Sequence, residues 1–499
     1  MHNTQLHYKQ QKYNLLQEES EGYSKALNYF ITQDSIQEQN RSKLLKLIGR
    51  FELDPNRLLD LTLDILEAKL YPDGKQNLLS KMPQATTQVT WLLEIMKEFS
   101  LSKLNPLIKF RLSADKNPSQ TLINTIAFLA INEQIDLKTL FDNYFDPIED
   151  SIQDAHKIMF MKEKKRIQGL SRVSLSGTTK ENPEVAKLKS QLDKSLESLE
   201  KDNILQLLLV LLKWGEWKLI KPLLSINVWT QLCSLLPEKF GSAFCDFAQE
   251  IMLPWYSDKV SPPDLSEPTK SNGEAFKDDS HSEIDLDEAV HALSDPLLCI
   301  TRSTCITSRP ILYCQLCRLF QRLLADDEDE NQLSDETYTF FQSFLVPSLS
   351  LFPSNPAICT ELWTVLNRLP YATRYRLYDD WRGSGLGSAG LSSTPSGKPL
   401  PNVESEILAG KAARYVLKRL SKDNIRDMSR QIAQVTHSNP LVVFTTILQQ
   451  IESYDNMVEV MVDAQRFVTP LGLDVLGYCI LSRLNGTQGG VNRSRLKGN

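Results

Sequence analysis

Residues Lys411–Leu484 read KAARYVLKRLSKDNIRDMSRQIAQVTHSNPLVVFTTILQQIESYDNMVEVMVDAQRFVTPLGLDVLGYCILSRL. Apolar positions recur there at helical spacing, as in Ile425, Met428 and Ile432, then Val443, Ile447 and Ile451. The spacing predicts three helices with short polar joints. Ser438, Asn439 and Pro440 open the middle one: a small polar side chain accepts from free first-turn amides, and proline gives up no donor the first turn needs. Nothing in the stretch is catalytic by composition.

The same punctuation runs through the chain. Eight of the 24 prolines follow Asn or Asp, at Asp54–Pro55, Asn105–Pro106, Asn117–Pro118, Asp146–Pro147, Asn182–Pro183, Asp295–Pro296, Asn355–Pro356 and Asn439–Pro440. Each reads as a helix start. Tyr8–Thr32 reads as one helix with a stripe of Leu15, Leu16, Tyr23, Leu27 and Tyr29; Asn40–Leu53 and Asp54–Leu70 read as a pair, and Lys201–Leu224 as a helix–turn–helix. No Asn-Gly hairpin and no series of evenly spaced β-branched runs is present. The fold class is therefore all-α, an elongated irregular helical-repeat (HEAT-like) array without a strict period, its helices joined by disordered linkers.

Composition bounds the rest. The chain has 499 residues, 41% hydrophobic and 24% charged, enough for several cores without a disulfide or metal staple. A net charge of −6 disfavours a grip on nucleic acid by bulk charge and leaves such contact to local patches. Eight irregularly spaced cysteines suit a reducing compartment. The polar start and the short apolar run Ile204–Leu212 give neither a secretory signal nor a membrane span, which predicts a soluble intracellular protein. Gly169–Pro183 and Tyr256–Ser282 read as mobile polar breaks in one array, Met1–Arg382; 383–400 is a Gly/Ser-rich flexible linker; 401–484 is a second, incomplete module; 485–499 is a disordered tail.

Catalytic constellations are weak. Cys314 and Cys317 form a Cys-x-x-Cys without the second ligand pair that zinc needs, and read as small hydrophobes on a helix. His437 precedes a helix start and reads as a structural hydrogen-bonding group. No phosphate loop, dinucleotide turn or nucleophile elbow is present, so no enzyme, cofactor or small-molecule substrate is expected. The candidate contacts for RNA or a partner are cationic. Lys411, Arg414, Lys418 and Lys422 fall on one helical face at i, i+3, i+7 and i+11. Arg374 and Arg376 are interleaved with Tyr371, Tyr375 and Tyr378, a stripe read as packing on a neighbouring helix or partner, with base stacking as the alternative. The acidic run Asp326–Glu330 is a further docking candidate.

Arg430–Pro440 (RQIAQVTHSNP), Tyr454–Asn456 (YDN) and Asp474–Ile480 (DVLGYCI) resemble the THO complex subunit 2 family. Tyr8–Lys25, Leu47–Leu61 and Leu369–Trp381 (LPYATRYRLYDDW) agree, in the family's order. The resemblance implies a non-enzymatic scaffold of the nuclear THO/TREX complex, holding other THO subunits, above all subunit 1. It would couple transcription to mRNA processing and export, reach the mRNA-export helicase through the complex, and touch RNA weakly or indirectly. It also implies that 401–484 is similar to a HEAT-like middle domain. The resemblance ends at Leu484, so the chain is expected to be a truncated or alternatively ended product with a tail foreign to the family. The alternative function is a helical RNA-binding module using the Lys411–Lys422 face.

Overall fold

A computed structural model describes residues 2–17, 21–32, 38–71, 86–98, 103–114, 118–145, 147–171, 183–260, 284–326, 333–383, 398–421, 424–453 and 458–484. Residues 172–182, 261–283, 384–397 and 485–499 of the linkers and tail expected from sequence, the Asp327–Glu330 part of the acidic run, Tyr454–Asn456 and Lys422 lie outside them. Among the described residues every regular element is a helix, and the fold is all-α.

In chain order the first helices are α1 (His2–Gln17), α2 (Tyr23–Thr32), α3 (Glu38–Phe51), α4 (Pro55–Leu70), α5 (Thr87–Glu98), α6 (Leu104–Ala114), α7 (Gln120–Ile131), α8 (Leu137–Tyr144), α9 (Ile148–Ser171), α10 (Pro183–Glu200), α11 (Asn203–Lys213) and α12 (Trp217–Ile220). Then follow α13 (Ile226–Leu235), α14 (Ser242–Lys259), α15 (Leu286–Cys299), α16 (Pro310–Asp326), α17 (Asp335–Phe340), α18 (Val346–Ser348), α19 (Pro356–Leu366), α20 (Tyr371–Arg382), α21 (Leu400–Leu417), α22 (Ile425–Thr436), α23 (Pro440–Ser453), α24 (Val458–Ala464) and α25 (Pro470–Leu484).

These divide into two compact units, residues 1–153 with 194–225, and residues 154–193 with 226–499. The stretch 383–400 does not separate them: residues on both of its sides belong to the second unit.

In the first unit α4 packs on α2, α5 and α7, and α11 packs on α7. Asp54 caps α4 by accepting from the Asn56 amide at 3.0 Å, with Pro55 at the first helical position. Leu58, Leu63 and Leu66 of α4, Phe128 and Leu129 of α7, and Leu208 and Leu211 of α11 are all fully buried. Burial of each such side chain contributes about 1.5–3 kcal/mol. Arg111 of α6 reaches Asp60 at 2.7 Å and Asp64 at 2.5 Å, which ties α6 to α4.

In the second unit helices pack on their near neighbours in staggered fashion: α14 on α15 and α16, α16 on α19, α19 on α25, and α21 on α23, which packs on α25. Trp229 of α13 meets Phe244 of α14 edge-on at 5.8 Å, and Phe320 of α16 meets Phe340 of α17 at 5.9 Å. Gly241, before α14, lies so close to Cys305 that an added Cβ would sit 2.0 Å from its sulfur.

Several expected boundaries differ. The Tyr8–Thr32 stretch is helical on both sides of residues 18–20, which lie outside the described set, and Leu27, assigned to the apolar stripe, is 37% exposed while Ala26 and Phe30 are buried. Two expected breaks are helical where they start: α14 continues through Tyr256 to Lys259, and α9 through Gly169 to Ser171. Asp295–Pro296 starts no helix but lies within α15, whose cap is Asp285, accepting from the Glu288 amide. Asn105 and Pro106 lie inside the first turn of α6, and Ser119 caps α7, Asn117 lying outside the described residues. Among the described residues the Lys411–Leu484 stretch holds the end of α21 and four further helices, where the spacing predicts three.

Candidate partner-binding surface

Helix α20 holds four aromatic residues and three arginines within its twelve residues. It ends at Gly383 with φ +99°, and the Gly383 amide donates to the Asp380 carbonyl at 2.9 Å. Only glycine takes that backbone turn without strain. The Lys398 stem covers it, since an added Cβ would lie 2.8 Å from Lys398 Cε.

The tyrosines at i, i+4 and i+7 turn one face of α20 onto α25. Tyr375 and Tyr378 stand 5.6 and 5.8 Å from the Tyr478 ring, while Tyr371 stays 69% exposed against Tyr375. The cations follow the rings inward. Arg374 makes a two-pronged pair with Asp474, Nε to Oδ2 at 3.0 Å and Nη2 to Oδ1 at 3.1 Å, and donates to the Leu369 carbonyl at 2.7 Å. Both side chains are largely buried, at 15% and 14% exposure. Tyr378 donates to Asp474 Oδ2 at 2.9 Å, and burial together with that carboxylate raises its phenol above the ordinary value. One turn on, Asp379 accepts from Arg382 and from Tyr478, both at 2.6 Å, while Arg382 also reaches Ser482 at 2.9 Å. Arg376 lies 4.3 Å over the Tyr338 ring, whose hydroxyl donates to Asp380 at 2.6 Å. Arg374 is thus bound into the helix interface, and Arg376 remains exposed over one ring face.

Beside this network is an open hollow of about 210 Å³, lined among others by Trp381, Arg382, Lys398, Glu406, Asn439 and Thr446. Its charges are matched internally: Lys398 donates to Glu406 at 2.5 Å. Burial raises the Glu406 carboxyl above its ordinary value, and the Lys398 charge opposes that rise.

The other basic candidates lie on α21, and they are not equivalent. Lys411 is half-buried and donates to the Leu170 carbonyl in the last turn of α9, where a cation is favoured by the helix dipole. Earlier on α21, Glu404 receives both prongs of Arg166 from α9, one at 2.7 Å. Arg414 is exposed; Lys418 is exposed too, but it is the C-cap where α21 stops. The single face carried to Lys422 therefore breaks at Leu417. Arg419 was missed from sequence: its guanidinium sits 3.8 Å over the Tyr415 ring, itself 53% exposed. The Tyr-x-x-x-Arg spacing carries that signal.

Cys317 is buried and Cys314 half-buried on α16, and burial raises both thiols. Among the described residues no group of three His, Cys, Asp or Glu could hold a metal, and no helix is long and apolar enough to cross a membrane. His437 Nδ1 lies 3.3 Å from Ser354 Oγ, and burial lowers its pKa.

Comparison with known proteins places the chain. A family model described as THO complex subunit 2 N-terminus matches residues 1–236 and 279–430. A second, described as a transcription- and export-related complex subunit, matches 432–499, past the Leu484 limit of the resemblance read from sequence. THO complex subunit 2 of Homo sapiens is 30% identical over 504 residues, covering 96% of this chain and 29% of the relative. The Dasypus novemcinctus protein of the same name is 29% identical over 501 residues with 96% and 29% coverage, and that of Arabidopsis thaliana 26% over 528 residues with 97% and 27%. The chain spans less than a third of the length of these relatives. On a match that covers most of its length, this chain belongs to the THO complex subunit 2 family.

Proposed function

We propose that the chain is a non-enzymatic scaffold of a nuclear THO/TREX complex, holding other THO subunits, above all subunit 1, and so coupling transcription to mRNA processing and nuclear export. The observation that carries the reading is how its reactive side chains are used. The guanidinium of Arg374, the tyrosine hydroxyls of the α20–α25 network and the carboxylates of Asp379 and Asp474 are engaged with one another, in a fold that belongs to this family. What is left on the surface suits helices rather than substrates: Leu473, Ile480, Leu481 and Leu484 of α25 are each at least 40% exposed. An ATPase in such a complex is supplied by the helicase it engages. Tagged chain passed through nuclear extract should retain THO subunits in near-equal amount by mass spectrometry. A folded chain that retains none contradicts the reading.

One observation favours a second reading, direct RNA contact. Arg414, Lys418 and the stacked Tyr415–Arg419 pair are exposed together at the end of α21. A cation set of this kind binds single strands with a steep salt dependence, and each lost phosphate contact lowers the log–log slope by about 0.7. Arg414→Glu with Lys418→Glu should abolish any such binding.

A further inference from the structure

We infer that the corner where α9 faces the turn after α15 is a notch for a single carboxylate side chain contributed by a protein partner. Arg302 sits in that turn, which is closed by the Ser303 amide donating to the Ile300 carbonyl at 3.0 Å and by Ser234 Oγ donating to the Arg302 carbonyl at 3.4 Å. The residue is half-buried, and among the described residues its guanidinium has no hydrogen bond or carboxylate partner. His156 of α9 is close enough for the Arg302 charge to act on it, is half-buried as well, and among the described residues has no hydrogen bond. Burial first and the Arg302 charge second push His156 down to about 4.

The contrast with other arginines defines the site. Arg111 has Asp60 and Asp64, Arg318 has Glu361, and Arg374 has Asp474. A partly desolvated guanidinium without a counter-ion is unfavourable, and an incoming carboxylate relieves this through its two oxygens, which match the planar fork. The neutral His156 ring adds a donor beside it.

A lone acidic side chain fits better than a polyanion. Four of the cations along α9 already face carboxylates: Lys157 with Asp154 at 2.8 Å, Lys162 with Glu163 at 3.1 Å, Lys165 with Glu184 at 2.7 Å, and Arg166 with Glu404. A phosphate chain laid along the helix would run against those carboxylates. The protein nature of the occupant rests on the scaffold reading. Loss of THO subunits from the extract experiment would leave acid-dependent peptide binding untouched, so the two fail separately.

The test is random-peptide display on the full chain, with Arg302→Gln as counter-screen. Selected peptides are expected to share an Asp or Glu. Its replacement by Asn or Gln should weaken binding to the unmodified chain at least about tenfold and leave binding to Arg302→Gln unchanged, since charge-assisted pairing is the contact removed. Bound peptide should also raise the His156 titration, read by NMR of the imidazole ring, by about one unit or more. Peptides indifferent to both changes overturn the proposal. So does an oligouridine RNA that shifts His156 when acidic peptide does not, because that result assigns the notch to nucleic acid. Arg302→Gln removes an unmatched charge and should keep the thermal stability of the unmodified chain, which separates lost binding from lost folding.

Discussion

Helices α20 and α21 are similar in kind and opposite in use. Both carry arginine beside tyrosine, yet Arg374 and Arg382 of α20 are matched by carboxylates, whereas Arg414 and Lys418, in and just after α21, face solvent. The difference does not lie in the helices themselves. Arg374 finds its partner in Asp474, one hundred residues later on α25, and the Tyr371–Tyr378 stripe finds Tyr478 there. An arginine–tyrosine pattern thus becomes a binding surface or an internal joint according to what the fold brings against it.

Breaking the joint gives the largest effect. Asp474→Ala leaves Arg374 buried without its counter-ion and Tyr378 without its acceptor, and should cost about 3–5 kcal/mol in urea unfolding. Arg374→Leu with Asp474→Leu should recover much of that, because a matched apolar pair leaves no orphaned charge. Gly241→Ala should come next. Its methyl would meet Cys305 Sγ at 2.0 Å, and the strain of repacking should cost about 1–3 kcal/mol. Asn355→Ala removes the acceptor of the Ala357 amide at 2.9 Å and should lower stability by about 1 kcal/mol. Arg414→Glu with Lys418→Glu should change stability by less than about 0.5 kcal/mol, as exposed substitutions do. That null result, set beside the Asp474→Ala loss, sharpens the contrast between the two helices.

The pH dependence has a definite sign at His156. Its pKa is depressed to about 4 in the folded chain from an ordinary 6.5, so the unfolded chain binds the proton more readily. The stability contributed is therefore complete above 6.5 and is lost as pH falls from there through about 4. His156→Gln should flatten urea midpoints between pH 7 and pH 4.5 relative to the unmodified chain. An equal fall in both proteins would show that other groups govern the acid limb.

Much of the fold was legible because helix starts are written locally. Asp54 and Asn355 each accept from the amide two residues on, as an Asx-Pro start predicts, and the apolar run around Ile204–Leu212 forms α11 behind the Asp202 cap. Asp295–Pro296 misled because proline costs a helix only its own amide bond and a local clash, and α15 accommodates both within a buried face that includes Leu293, Pro296 and Leu297. The site was less legible. The cation of Lys411 is held by a carbonyl 241 residues earlier, and Arg166 is joined to Glu404 across 238 residues. No periodicity within one helix encodes a partner that far away. The exposed Tyr415–Arg419 pair, by contrast, is a local i, i+4 feature and was within reach of the sequence.

The most direct measurement is reconstitution. The chain is coexpressed with THO subunit 1, and the mass of the eluting species is read by light scattering after size exclusion. The scaffold account predicts an equimolar complex that survives high salt and forms equally well with Arg414→Glu and Lys418→Glu in place. Separate elution of subunit 1 and a folded chain would contradict it.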